Sequence, residues 1–144
     1  MRILPQMRRL ILVGIVVLAG CGSNGQESLP AACTEGPGTV VEALAKAPAA
    51  VTLDGAPISR CFNRDAGSED IQVVGTNLLN AAQQLADKGQ ALQLGYLVGA
   101  ARRGSKRNGL GQELVRRLEA EAPTAGSAQR AHYESGLKAG LATG

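Results

Sequence analysis

Side chains able to do chemistry are few in this sequence: one histidine, three cysteines, scattered serines and one dense basic run. His132 is the single candidate general base, so sites built on paired histidines are excluded. Its neighbours Tyr133 and Glu134 stand one and two positions away, not at the three- or four-residue spacing that would orient it on a helix. Ser59, Ser105 and Ser135 would need an adjacent base to act as nucleophiles, and none lies in a GxSxG elbow. No glycine run after a strand fits a phosphate-binding loop, and Glu69 with Asp70 reads as a helix start. The residue types point to no cofactor and no metal set. What remains is the run RRGSKR, which brings together Arg102, Arg103, Lys106 and Arg107. These four are anion-binding candidates, since about 1 kcal/mol per basic residue is available near an anionic surface. Arg102 and Arg103 equally suit a helix C-terminus, where cations complement the macrodipole.

Cys21 is set apart from the other cysteines by what precedes it. Arg2, Arg8 and Arg9 give a positive N-terminal region, and Leu10 to Ala19 is an uninterrupted apolar run. Its ten residues fall inside the signal-peptide range of roughly 7 to 15 and well short of the roughly 20 that a bilayer span needs. The run closes on Leu18, Ala19, Gly20 and Cys21, which resemble the lipobox of bacterial lipoproteins: a branched residue, two small residues and a cysteine. That resemblance implies cleavage before Cys21, lipid attachment to its thiol, palmitate-type acyl chains on the modified cysteine, and anchoring to the outer side of the cell membrane. It covers residues 1–21 only, and residues 22–144 carry no motif of a characterised family. An ordinary signal peptide with an incidental cysteine is the alternative. Arg8 and Arg9 share the arginine pair of a twin-arginine export signal without its flanking residues, so the export route stays open.

Cleavage removes 20 of the 144 residues and leaves 124, enough for one modest domain. It also removes three of the 15 basic residues, while all 12 acidic ones lie beyond Cys21, so the formal charge falls from +3 to zero. The basic balance therefore belongs to the leader and does not indicate nucleic acid. Phe62, Tyr96 and Tyr133 are the only aromatic residues, and none adjoins the basic run to form a stacking platform. Export also decides the reading of Cys33 and Cys61. An oxidising compartment favours a disulfide between them, worth about 3 kcal/mol in the chain-entropy description. The alternative, a reactive thiol pair, lacks the CxxC spacing.

The elements that must position these residues read as helical. Residues 21–32, rich in Gly, Ser and Asn, have the composition of a flexible tether, and ordered structure is expected from Cys33. Thr39 and Glu42 form a capping-box pattern ahead of a short helix that Pro48 ends. Asp54 and Gly55 between two β-favouring runs predict a hairpin with a type I′ turn and Pro57 on an edge. Ser68 reads as an N-cap and Gly89 as a C-cap of a helix that turns Ile71, Val74, Leu78, Ala81, Ala82 and Leu85 to one face. The next segment, Ala91 to Ala101, is apolar on nearly every side and belongs in the middle of a bundle. Its Ala91, Gly95 and Gly99 form a ridge for close soluble packing. Leu110, Leu114 and Leu118 predict a third long helix ended by Pro123, with Glu113 placed to pair with Arg117. In the last segment Tyr133, Leu137 and Leu141 share a face, while Gly136 and Gly140 each lower helix propensity, so whether this segment holds as a helix stays open.

The expected fold is mainly α: residues 33–144 as one bundle of three to four helices, with a short N-terminal helix and a hairpin pinned by a disulfide. The expected function is non-enzymatic, a lipid-anchored envelope lipoprotein that contacts an anionic lipid, a wall polymer or an envelope protein. The alternative is an envelope hydrolase or transferase using His132.

Overall fold

The computed structural model describes residues 29–62, 68–105 and 109–144. Its helices are α1 (Ala32–Glu35), α2 (Pro37–Leu44), α3 (Ser68–Asp87), α4 (Ala91–Gly104), α5 (Gly109–Ala120) and α6 (Ala128–Thr143). Between α2 and α3 lie the strands β1 (Thr52–Leu53) and β2 (Ala56–Pro57), followed by a 3-10 turn, Ile58–Phe62. The mainly helical fold, the hairpin and the disulfide are all present. No described helix is long and apolar enough to cross a membrane.

Helix α2 starts two residues before Thr39, because Pro37 occupies its first turn and Gly36 precedes it at φ 141°. Proline arrives with its φ fixed near the helical value and has no N–H to leave unpaired. Thr39 is thus an interior residue and caps nothing. The helix closes at Leu44, ahead of Pro48, its last carbonyls taken by tight bonds such as Ala47 N–H to Leu44 O at 3.0 Å. Val40 and Leu44 point into the core.

The hairpin pairs Thr52 with Pro57 and Leu53 with Ala56. Asp54 and Gly55 have φ of 51° and 76°, the two positive values a type I′ turn demands. The second β-favouring run does not continue as strand. After Pro57 it coils into the 3-10 turn, which buries Ile58, Cys61 and Phe62 together. A strand would have sent alternate side chains to solvent. Cys61 there bonds Cys33 of α1, with Cα atoms 5.6 Å apart. Asp54 Oδ2 accepts the Ala32 N–H at 2.9 Å, so the hairpin turn supplies the helix-start acceptor that Ala31 lacks. Asn77 Nδ2 of α3 donates to the buried Cys33 carbonyl at 3.2 Å. Short elements that could not hold alone are fastened to one another and to α3.

Helix α3 buries Val74, Leu78, Ala81, Ala82 and Leu85, with Ile71 at the margin. It ends in a Schellman motif: Gly89 has φ 65° and donates to Ala86 O, while Gln90 N–H reaches Leu85 O at 2.8 Å. Helix α4 lies at the centre and buries every residue from Leu94 to Ala101. It packs on α2, α3, α5 and the 3-10 turn, and most extensively on α6.

That last contact explains why the C-terminal segment, whose glycines left its order open, forms a helix. Gly95 and Gly99 of α4 lie against the backbone of Tyr133 to Leu141, and Gly136 and Gly140 of α6 lie against the backbone of Leu92 to Ala100. A Cβ at any of the four would overlap a carbonyl oxygen of the facing helix. The glycines that weaken α6 in isolation let the two backbones interlock, and tertiary packing outweighs propensity. Tyr96 reinforces the pair from within the core: its hydroxyl lies 3.0 Å from Val51 N and 2.9 Å from Thr143 Oγ1.

Candidate functional site

The basic run predicted from the sequence falls at the C-terminal end of α4. Lys106 and Arg107 lie outside the described residues, as do Cys21 and the whole lipobox. Arg102 reaches across to α5, its Nε 2.7 Å and its Nη2 2.6 Å from Glu119 Oε1, in a pair left substantially exposed. Arg103 turns the other way, and its Nη1 donates to the carbonyls of Leu141 and Ala142 in the last turn of α6. One arginine thus fastens α5 and the next covers the negative end of α6, complementing its dipole. Both side chains hold protein partners before any ligand arrives.

Two further arginines join this end of the molecule. On α5, Glu113 accepts from Arg117 Nε at 2.9 Å and from Arg116 Nε and Nη2 at 3.0 Å. Hydrogen bonds from Arg117 and then Arg116 hold the Glu113 carboxyl below its ordinary value, outweighing the opposing effect of burial. The sequence made Glu113 with Arg117 legible through the four-residue spacing. Arg116 at three residues was equally available and was missed, whereas Arg102 with Glu119 is a tertiary pair without a local signal. Between α4 and α5 a shallow, half-open depression is lined by Arg102, Ser105, Gln112 and Val115. Ser105 is buried, so the serine closes the wall of this depression.

Other residues singled out by type are dispersed. His132 stands exposed on α6 without a hydrogen bond or ion pair to any described residue, and Ser135 is exposed on the same helix. Ser59 is half-buried in the 3-10 turn, its carbonyl facing Gly104. Arg130 stacks over Tyr133, 5.1 Å from the ring centroid, and also pairs with Glu134 at 3.0 Å. Burial raises the Tyr133 hydroxyl above its ordinary value, which keeps it neutral. Among the described residues no group of three or more His, Cys, Asp or Glu could hold a metal ion. No protein-family model, no curated protein and no solved structure matches the chain.

Proposed function

We propose that the chain is a lipid-anchored lipoprotein of the bacterial cell envelope. Its helical domain acts there by binding or as a structural component, without catalysing a reaction. The observation that carries this reading is the disulfide. Cys33 and Cys61 are consumed by one buried bond, which suits a chain that folds in an oxidising compartment, and of the three cysteines this leaves Cys21 as the remaining thiol. Cys21 is also the residue that the lipobox resemblance marks for acylation. Two or three acyl chains at Cys21, two of them on one diacylglyceryl group bound to the sulfur, would make attachment effectively permanent, since each buried CH₂ contributes about 0.8 kcal/mol. The contact partner is an anionic polymer or a protein of the envelope, met through the basic end of the bundle.

The test is the intact mass of protein extracted from membranes, before and after reduction. A chain beginning at Cys21, heavier by diacylglyceryl and acyl groups and gaining two hydrogens on reduction, supports the reading. Replacing Cys21 by serine then abolishes the added mass and releases the chain from the membrane fraction. An unmodified full-length mass overturns it.

A further inference from the structure

Asp54 and Gly55 form the only Asp–Gly step in the sequence, and both are exposed at the tip of the hairpin. At such a step a backbone amide can attack the preceding carboxyl, because glycine has no side chain to shield its nitrogen. Among the described residues the Gly55 N–H has no acceptor, and nothing lies within 4 Å of where a Gly55 Cβ would stand. Nucleophile and solvent are therefore both at hand, but the carboxyl is held back. Its Oδ2 accepts the Ala32 N–H at 2.9 Å, and Asp54 sits in the left-handed turn at φ 51°. Ala32 precedes Cys33, whose sulfur is bonded to Cys61 and whose carbonyl accepts from Asn77 of α3. The Asp54 carboxyl is thus fastened, through α1, to the disulfide and to α3.

We infer that Asp54 is a self-modification site, which cyclises with Gly55 when α1 releases it, and that the contact with Ala32 sets the rate. In the step the Gly55 nitrogen bonds to Asp54 Cγ and one Cγ–O bond breaks. The oxygen leaves as water, taking the carboxyl proton and the amide proton. Water then opens the succinimide at either carbonyl. Attack at the Asp54 backbone carbonyl leaves the chain running through Cγ as isoaspartate, and attack at Cγ restores aspartate. One water is lost and one regained, so no other reactant is needed. Two features tie this step to the opening of α1. Bringing Cγ onto the Gly55 nitrogen takes Oδ2 off the Ala32 N–H, and the five-membered ring fixes the ψ of residue 54 away from the left-handed value of a type I′ turn. The reaction therefore runs from a chain in which α1 and the turn have parted, and its rate follows the population of that open form. The isoaspartyl product does not fit back: its backbone is one carbon longer at the turn and its carboxylate arm shorter, so Ala32 loses its acceptor beside Cys33. A covalent change at the hairpin is thereby coupled to the hold of the disulfide on the N-terminal elements, whatever the role of the domain.

The test is incubation of the full chain at neutral pH and physiological temperature, followed by digestion and tandem mass spectrometry that separates aspartyl from isoaspartyl peptides. In the oxidised chain isoaspartate at residue 54 is expected to accumulate slowly. Cys33→Ala with Cys61→Ala is expected to speed it about tenfold, since loss of the cross-link raises the open population of the N-terminal elements. Asn77→Ala keeps the disulfide and frees only the Cys33 carbonyl, and about a threefold increase is expected. Helical circular dichroism, unchanged in Asn77→Ala, ties that rate to the loosened α1 rather than to global unfolding. Asp54→Glu, whose side chain is too long to close the same ring, is expected to abolish the isoaspartyl signal. Equal rates in the unaltered chain and both variants, or no isoaspartate in any of them, overturn the inference.

Discussion

Tyr96 donates its hydroxyl proton to Thr143. The assignment follows from counting protons: Thr143 Oγ1 spends its own on Ala139 O at 3.0 Å, so across the 2.9 Å contact it can only accept. The Tyr96 oxygen in turn accepts the N–H of Val51 at 3.0 Å. One buried phenol thereby joins the loop before the hairpin, the central helix and the last turn of α6. Tyr96→Phe removes the acceptor from the Val51 N–H inside a closed core, which costs about 1–3 kcal/mol. Thr143→Ala leaves that bond intact and acts at an exposed residue, so it is expected to cost less than about 1 kcal/mol. Urea denaturation at unchanged slope checks the order, and equal costs would mean that the Val51 N–H does not depend on the phenol.

Glycines in this bundle have opposite prospects according to what faces them. A Cβ at Gly136 would overlap the Leu92 carbonyl, whereas at Gly75 of α3 nothing lies within 4 Å. Both positions gain roughly 1 kcal/mol of helix propensity on becoming alanine. Gly75→Ala is expected to keep most of that gain, and Gly136→Ala to reverse it, with a net loss of about 2 kcal/mol as α4 and α6 are pushed apart. Thermal unfolding of the two variants should move in opposite directions.

The same glycines mark the limit of what was legible in the sequence. Periodicity gave α3 and α4 their buried faces, because each pattern is local and repeats over several turns. Asp54 with Gly55 identified the hairpin, because positive φ at two successive residues is a demand few residue pairs meet. The pairing of Cys33 with Cys61 was legible because setting Cys21 aside for the lipobox resemblance leaves only these two of the three cysteines. Gly136 and Gly140 left α6 undecided because their reason is on another helix, and a propensity scale weighs each residue without its neighbours in space. Thr39 misled for a local reason: Pro37 opens α2 earlier, and two start signals within one turn cannot both be used. The ion pairs of Arg102, Arg116 and Arg117 were half legible. RRGSKR and the Glu113–Arg117 spacing are sequence features, but their convergence depends on Arg102 meeting Glu119 across α4 and α5.

Glu113 should titrate below its ordinary 4.5 in the folded chain, held down by Arg117 and then Arg116. A depressed folded value means that the carboxylate is favoured in the native state. Its stabilisation is complete above the unfolded pKa and is lost as pH falls through the lower, folded one. Carboxyl carbon NMR across acidic pH reads this directly. In R116Q/R117Q the Glu113 titration is expected to move up towards 4.5, with little change in stability at neutral pH, since the pairs are exposed. No movement would mean that the two arginines do not set the carboxyl's affinity for its proton.

Cys33→Ala with Cys61→Ala should act most strongly on the N-terminal elements. The bond spans 28 residues, and in the chain-entropy description its loss costs about 3 kcal/mol. Helix α1 has four residues, the hairpin two per strand and the 3-10 turn five, so each depends on its neighbours to persist. The contact of α4 with α6 involves none of them and is built from interlocked backbone. Amide hydrogen exchange on the double variant is therefore expected to accelerate first in residues 31–62, with α4 and α6 keeping most of their protection. Uniform loss across all helices would show instead that the disulfide supports the bundle as one cooperative unit.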